Sequence, residues 1–417
     1  MANAHDGPER GFRLSDLIYD TRYRSLTIQT ITLILVMLGV VWLVDNVITN
    51  FQALGKDFNF SFLGQRAGYD IAQTLIPYSN DDTHARAALV GLLNTLWVSF
   101  LGCIAATIIG IVVGILRLSN NWLISRLMTV YVEAFRNVPL LLWILVAIAV
   151  MTELTPSPAS YRGENSASSM LFFDTVAFTN RGTHIPGIEF THGLGSIDTA
   201  LAPISLNFIA FVIVVAVSIF ANRKLRDHAA RVQSATGVRP TTWWKSLLIL
   251  FVPAIALLAA LGMTLNAPML ERFNFTGGID VSNAMVALWL GLSLYTGAFI
   301  AEIVRAGIMS VSRGQSEAAF ALGLRPNRTM KLVILPQALR VIVPPLISQY
   351  LNLTKNSSLA IAVGYMDLRG TLGGITMNQT GREIEAILLM MLIYLAVSLA
   401  ISGVMNLYNR SVKLKER

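Results

Sequence analysis

Ionisable side chains are scarce in this chain, and their spacing decides what chemistry is open to it. Glu133 and Arg136 stand three apart inside one apolar run, with Asn137 beside them, and Glu302 and Arg305 repeat the arrangement in another. Three residues along a helix put two side chains on one face, close enough to pair. Lys355 lies in a third apolar run, amid the polar series Thr354, Asn356, Ser357 and Ser358. Charge inside apolar segments is costly and is often kept for handling charged solutes. Two roles are open for the Glu/Arg pairs: they knit helices together, or they line or gate a path. Lys355 also has two. Its stem can snorkel toward the headgroups, or the polar run breaks the helix and turns the ammonium into a wet cavity, where it could meet a substrate carboxylate.

Covalent chemistry has no comparable support. The five histidines lie in tails and loops, and neither a Ser–His–Asp set nor a catalytic carboxylate pair can be argued from spacing. The Gly-x-x-x-x-Gly-Lys-Ser/Thr loop that cradles nucleotide phosphates is absent; Gly55-Lys56 lacks the earlier glycine and the following hydroxyl. The single cysteine, Cys103, cannot form an internal disulfide, no Cys/His cluster has zinc spacing, and Cys103 reads as a small buried apolar side chain. The chain is therefore expected to be no enzyme, with no cofactor or metal of its own.

The elements that must position these residues follow from hydropathy. Of 417 residues 54% are hydrophobic and only 13% charged, about half the charge of an ordinary soluble domain. Eight runs are long enough to cross a hydrocarbon core, at about 25–48, 88–116, 127–151, 203–221, 246–266, 283–308, 336–365 and 384–407. The fifth is the weakest, because Pro253 lies inside it. With eight spans, 22 of the 32 Lys and Arg fall on the side of the two termini and eight on the other. The positive-inside rule then places both termini in the cytoplasm. This distribution also accounts for the net charge of +8, and without a basic stripe interleaved with aromatics nucleic acid is not a partner. The first run lacks a small-residue cleavage site and reads as a retained anchor. The arm at 12–23 (Phe12, Leu14, Leu17, Ile18) has an amphipathic look suited to the headgroup region. The expected organisation is an arm, anchor and periplasmic loop over 1–87, a first helical part over 88–151 and a periplasmic insertion over 152–202. Two further spans with a basic cytoplasmic loop follow over 203–282, then a second helical part over 283–417. The insertion, rich in Gly, Ser, Thr and Pro, reads as an irregular cap.

The most informative stretch is the cytoplasmic loop 312–336. Ser312 and Gln315 resemble a capping box. Glu317 to Leu322 favour helix, Gly323 suits a left-handed C-terminal cap, and Pro326 blocks continuation. Asn327 could cap a second short helix leading to Pro336. A short, stiff helix–turn–helix results, with small Ala318 and Ala319 open to close approach and Glu317 available to a basic partner.

Glu317-Ala318-Ala319, Gly323 and the closing Leu335-Pro336 resemble the "EAA…G…I-LP" loop of bacterial ABC-importer permeases, with Val333 where that pattern prefers Ile. Gly91-Leu-Leu-Asn-Thr-Leu, the segment from Tyr131 to Leu141, the segment from Leu294 to Arg305 and the one from Leu353 to Leu359 are similar to others in the polar-amino-acid branch, although Asn137 and Val138 replace its usual Gly and Thr. The likeness covers about 88–150 and 284–408. Its long form looks most like the broad-specificity L-amino-acid permeases. The resemblance implies an all-α membrane protein with a type I ABC-importer permease core and a loop, Glu317 to Pro336, that docks into an ATP-binding subunit. It further implies a second permease chain, an ATPase dimer holding Mg-ATP, a periplasmic amino-acid-binding protein, and an L-amino acid as cargo across the bacterial inner membrane. Three rivals stay open from sequence: an ion-gradient-driven transporter, a membrane scaffold without transport, and a permease of the same class for another solute such as an opine.

Overall fold

The structure is a computed structural model describing residues 21–53, 57–162, 167–199 and 202–412. The chain divides into two units, Met1–Ser61 and Phe62–Arg417. The first contributes α1 (Thr21–Ala53), apolar around its circumference and exposed along almost its whole length, as expected of a span whose solvent is lipid. Most of the amphipathic arm at 12–23 lies outside the described residues.

The second unit is built on α2 (His84–Leu116), whose 33 residues make a rod about 50 Å long. The Thr83 hydroxyl caps it, accepting from the Arg86 N–H. Gly102, Ala106, Gly110 and Gly114 form a buried ridge along α2. A Cβ at Gly110 would lie 2.4 Å from Ile300, and one at Gly114 2.7 Å from the Ala301 carbonyl. The ridge thus has the packing role its spacing suggests, letting backbones approach closely.

The third apolar run is not one straight span. It divides into α3 (Trp122–Asn137) and α4 (Leu140–Ala149), extended by a π turn to Leu154 and bent by 106° from α3. Pro139 supplies no amide hydrogen and forces Val138 into an extended conformation, so the helix has to stop at Asn137.

Next come α5 (Leu206–Thr236) and α6 (Trp243–Ala260), packed on one another. The basic half of α5 extends well past the predicted run and ends at Gly237, whose φ of +72° makes a left-handed cap. α6 keeps Pro253 within its helix. Together α7 (Asn283–Met309) and α2 form the centre of the unit, where Leu288, Leu292 and Ile300 are fully buried. After α7 come α8 (Arg313–Ala321), α9 (Leu335–Asn356) and α10 (Glu383–Val412). The helices long and apolar enough to cross a membrane number seven among the described residues, or eight if the bent α3–α4 pair counts as one span. The architecture is that of a mainly helical, multi-pass membrane protein.

Segment 152–202 is less irregular than its composition suggests. It carries β1 (Ala177–Thr179), β2 (Gly182–Ile185), β3 (Gly187–Phe190) and β4 (Ser196–Asp198). β5 (Pro203–Ser205) takes the start of the predicted fourth span. Past α6, β6 (Met263–Asn266) takes the end of the predicted fifth and is followed by β7 (Met269–Glu271), β8 (Asn274–Thr276) and β9 (Ile279–Val281). β2 pairs with β9, and β3 with β6, all antiparallel. Two segments some 80 residues apart therefore build one small cap at the end of α7 remote from α8. Strands of three or four residues are too short for the alternation that betrays a strand.

Candidate coupling loop and solute path

α8 ends in a complete Schellman closure. The Gly323 N–H donates to Phe320 O at 2.9 Å and the Leu324 N–H to Ala319 O at 3.1 Å, with Gly323 at φ +76°. Ala319 is buried under this turn, while Glu317 and Ala318 are exposed on its outer side. The predicted capping box does not form. Ser312 holds the N-cap position without a side-chain hydrogen bond, and only its carbonyl is engaged, by the Gln315 N–H. Nor does Asn327 cap the next helix. Arg325 stands at that N-cap, with Pro326 at the first helical position, where a missing N–H costs nothing. From Pro326 the helix passes through a π turn, Met330–Ile334, directly into α9, so that Leu335 and Pro336, both exposed, lie within a continuous rod rather than at its start. The span extends over Pro326–Val363. Gln337 Nε2 reaches Gln315 Oε1 at 3.4 Å and ties α8 to that rod.

The charged residues of α3 and α7 converge near the same end of α7, with a partner that spacing did not nominate. Arg117, following α2, is largely buried; it forms an ion pair with Glu302 and approaches Glu133 at 3.6 Å. Glu302 also holds Arg305 at 2.6 Å, as its i,i+3 spacing suggests. Glu133 and Arg136, by contrast, do not pair. Asn137 Nδ2 donates to Glu133 at 3.2 Å, and the Arg136 guanidinium lies over the Phe299 ring, 5.4 Å from its centroid. Helix α3 turns Glu133 toward Arg117 and Arg136 toward α7, so shared-face proximity is overruled by the neighbours on offer. One carboxylate, Glu302, thereby joins the end of α2 to α7, and Arg117 extends the link to α3.

At the other end of α9 the polar run closes on its own backbone. Thr354 Oγ1 donates to Tyr350 O, Ser357 Oγ to Thr354 O and Ser358 Oγ to Lys355 O. After Asn356 the helix tightens to a 3₁₀ turn, Ser357–Val363. Thr354 and Ser357 are buried, whereas Lys355 is exposed and its ammonium makes no hydrogen bond or ion pair among the described residues. Residues 365–371 then fold against α2. Asn94 Nδ2 donates to Gln73 O and Met366 O, both at 2.9 Å, and the Leu368 N–H donates to Thr95 Oγ1 at 3.0 Å. The Asp367 carboxylate is fully buried and accepts from the Gly370 N–H at 2.8 Å and the Tyr394 O–H at 3.2 Å. A Cβ on Gly91 would lie 2.7 Å from Asp367 O, which explains why a glycine stands there.

Residues 209–414 match the family described as "Binding-protein-dependent transport system inner membrane component". The chain is 63% identical over 426 aligned residues, spanning all of both proteins, to the glutamate/glutamine/aspartate/asparagine transport system permease protein BztB of Rhodobacter capsulatus. It is 42% identical to the general L-amino acid transport system permease protein AapQ of Rhizobium johnstonii, over 98% of this chain and 96% of that one. It is 41% identical to a putative amino-acid ABC transporter permease protein, YhdX, of Escherichia coli, over 94% and 95%. The chain belongs to the amino-acid ABC transporter permeases.

Several elements of this permease escaped sequence reasoning. Arg117 and Arg369 were visible only as members of a charge count, because the contacts that single them out reach 185 residues away in one case and depend on the fold of a π turn in the other. Tyr394 carried a signal, the one phenol within the last apolar run, whose partner Asp367 could be known only from the fold.

Proposed function

We propose that this permease provides the solute path and the mechanical lever of an importer for polar amino acids, with ATP hydrolysed on a separate subunit that binds Mg-ATP. The observation that carries this is the geometry of α8. It is a short helix with a sealed C-terminus, an outer face of Glu317 and Ala318, and a rod from Pro326 to Val363 behind it. A push on such a unit is transmitted along the rod, since a closed Schellman turn and continuous helix leave little slack. The charge distribution puts both termini and α8 in the cytoplasm, where an ATPase dimer would dock, and puts the β cap outside, facing an amino-acid-binding protein. A second permease chain would complete the path. In this scheme the Arg117–Glu302–Glu133 cluster closes the cytoplasmic end, and Thr354, Lys355, Asn356, Ser357 and Ser358 belong to the path.

Uptake into proteoliposomes holding the permease pair and ATPase, with binding protein and ATP supplied, tests the reading. Glu317→Arg and Gly323→Asp should each abolish ATP-driven uptake while the chain still inserts. Uptake that ignores ATP and follows an imposed ion gradient would instead establish a secondary transporter.

A further inference from the structure

The α5–α6 hairpin is pinned to the cap at one end. The turn between β3 and β4 holds both helices: the His192 N–H donates to Leu261 O at 3.1 Å, and the Leu194 N–H donates to Asn207 Oδ1 at 2.8 Å. The start of α5 and the end of α6 therefore share one level. At 1.5 Å per residue away from it, Phe220 lies about 21 Å along α5 and Lys224 about 27 Å. On α6, Lys245 lies about 24 Å from Leu261, Trp244 about 26 Å and Trp243 about 27 Å. These five side chains thus start from one band, close to a hydrocarbon thickness of about 30 Å from the cap.

Within the band each lysine rests its ammonium on a ring. Lys224 Nζ lies 4.7 Å from the Phe220 centroid and Lys245 Nζ 5.3 Å from that of Trp244. Phe220, Trp243 and Trp244 are all exposed. Exposed aromatics and lysines gathered at one depth are the anchors of a membrane interface. Beyond the band α5 continues from Leu225 to Thr236, about 18 Å further. Leu225, Ala229 and Val232 form its buried or half-buried stripe there, while Lys224, His228 and Arg231 repeat that spacing on an exposed one. Arg223, Lys224, Arg226, Arg231, Arg239 and Lys245 are all exposed, and between Pro203 and Gly262 the single acidic residue is Asp227. None of these cations forms an ion pair among the described residues.

We propose that this end of the hairpin is a docking surface for anionic phospholipids, in which Lys224, Arg231 and Lys245 take the headgroup phosphates and Trp243 and Trp244 lie at the glycerol level. The cations follow directly on an apolar helix and share their depth with the aromatics, which is where headgroups are and where an acidic segment of another protein has no need of the rings. A zwitterionic headgroup carries its own cation beside the phosphate, so six cations facing one acid favour a lipid with net negative charge. The hairpin, fastened to the cap at one end, is thereby fastened to one leaflet at the other. Such binding is independent of which solute the permease carries.

Spin-labelled phosphatidylglycerol and phosphatidylcholine, in proteoliposomes holding the assembled permease pair with its ATPase, read this preference from the fraction of each lipid whose motion the protein restricts. Wild type should associate with phosphatidylglycerol about twofold or more over phosphatidylcholine, and the excess should fade as salt is raised. Lys224→Gln combined with Arg231→Gln should remove half of the excess or more, and Trp243→Ala should lower it by less. Lys224→Arg combined with Arg231→Lys keeps both charges and should keep the excess. Arg328→Gln combined with Lys331→Gln removes the same charge from the connection between α8 and α9, where both residues are exposed, and should leave most of it. No preference in wild type, or equal losses in the two glutamine pairs, would overturn the surface. A loss in the charge-keeping pair as large as in Lys224→Gln/Arg231→Gln would trace the effect to misfolding and overturn it as well. Unchanged lipid preference in Lys224→Gln/Arg231→Gln, with the ATPase lost from the complex on gel filtration, would assign the cations to a protein partner instead.

Discussion

Two helices of nearly equal hydropathy have opposite surroundings. α2 buries fourteen residues, most of them small or polar, against α7, α9 and residues 365–371. α6 buries none, although it too is long and apolar enough to cross a membrane. Hydropathy therefore records a tolerance for lipid and says nothing about whether lipid or protein is the neighbour. What separates the two is where the small residues fall: α2 has glycines at close approaches to other backbones, and α6 has no glycine at all. Without a hydrophobic force between helices in lipid, close packing is the adhesive.

The largest effect is expected where a backbone would have to move. Gly114→Ala places a methyl 2.7 Å from the Ala301 carbonyl, and should cost about 1–3 kcal/mol. Gly403→Ala in α10 meets nothing within 4 Å and should be neutral or slightly stabilising, while Leu248→Ala on exposed α6 should change stability by less than about 0.5 kcal/mol. Thermal melting of the purified permease ranks the three, and a Gly114 variant no weaker than the Leu248 variant would break the contrast.

Next comes the ionic link among α2, α3 and α7. Glu302→Gln leaves Arg117 without its main partner, and both groups are under a third exposed. Breaking such a pair in a fully buried setting costs about 3–5 kcal/mol, and the partial exposure here reduces that to about 1–2. Arg136→Gln, which loses a ring contact and a weaker attraction to Glu302, should cost less than half as much. Equal losses would mean that both arginines serve the link equally.

The smallest effect concerns the cap. His184 is buried, stacked on Phe275, and lies 3.4 Å from Asp280. Burial holds its imidazole below the usual value of 6.5, with Asp280 opposing. The opened cap then binds the proton more readily than the closed one, so cap stability is highest above about pH 6.5 and declines as pH falls below it. Hydrogen exchange of residues 177–190, corrected for intrinsic rates, should rise between pH 7.5 and 5.5, and His184→Phe should flatten that rise.

Much of this was readable beforehand, because it is local. The α8 closure needs only Gly323 and Pro326 in sequence, and the ridge needs only a four-residue repeat. The break at Pro139 was equally local, yet the surrounding apolar run concealed it. The β cap was not readable, since each strand is shorter than the pattern that would reveal it, and the pairings that join its two segments, β2 with β9 and β3 with β6, form across the α5–α6 hairpin. Spacing also paired Glu133 with Arg136, where the fold chose Arg117 instead.

Sequence alone determined the class of the molecule, most of its apolar helices and the short capped helix that follows α7, because hydropathy and helix-ending signals act over a few residues or over simple counts. Only the tertiary structure decided that Arg117 locks Glu302, that Gly91 seats residues 365–371, and that one turn of the cap sets α5 and α6 level. Those facts depend on which helices meet, and helices in lipid choose neighbours by shape, which composition does not encode.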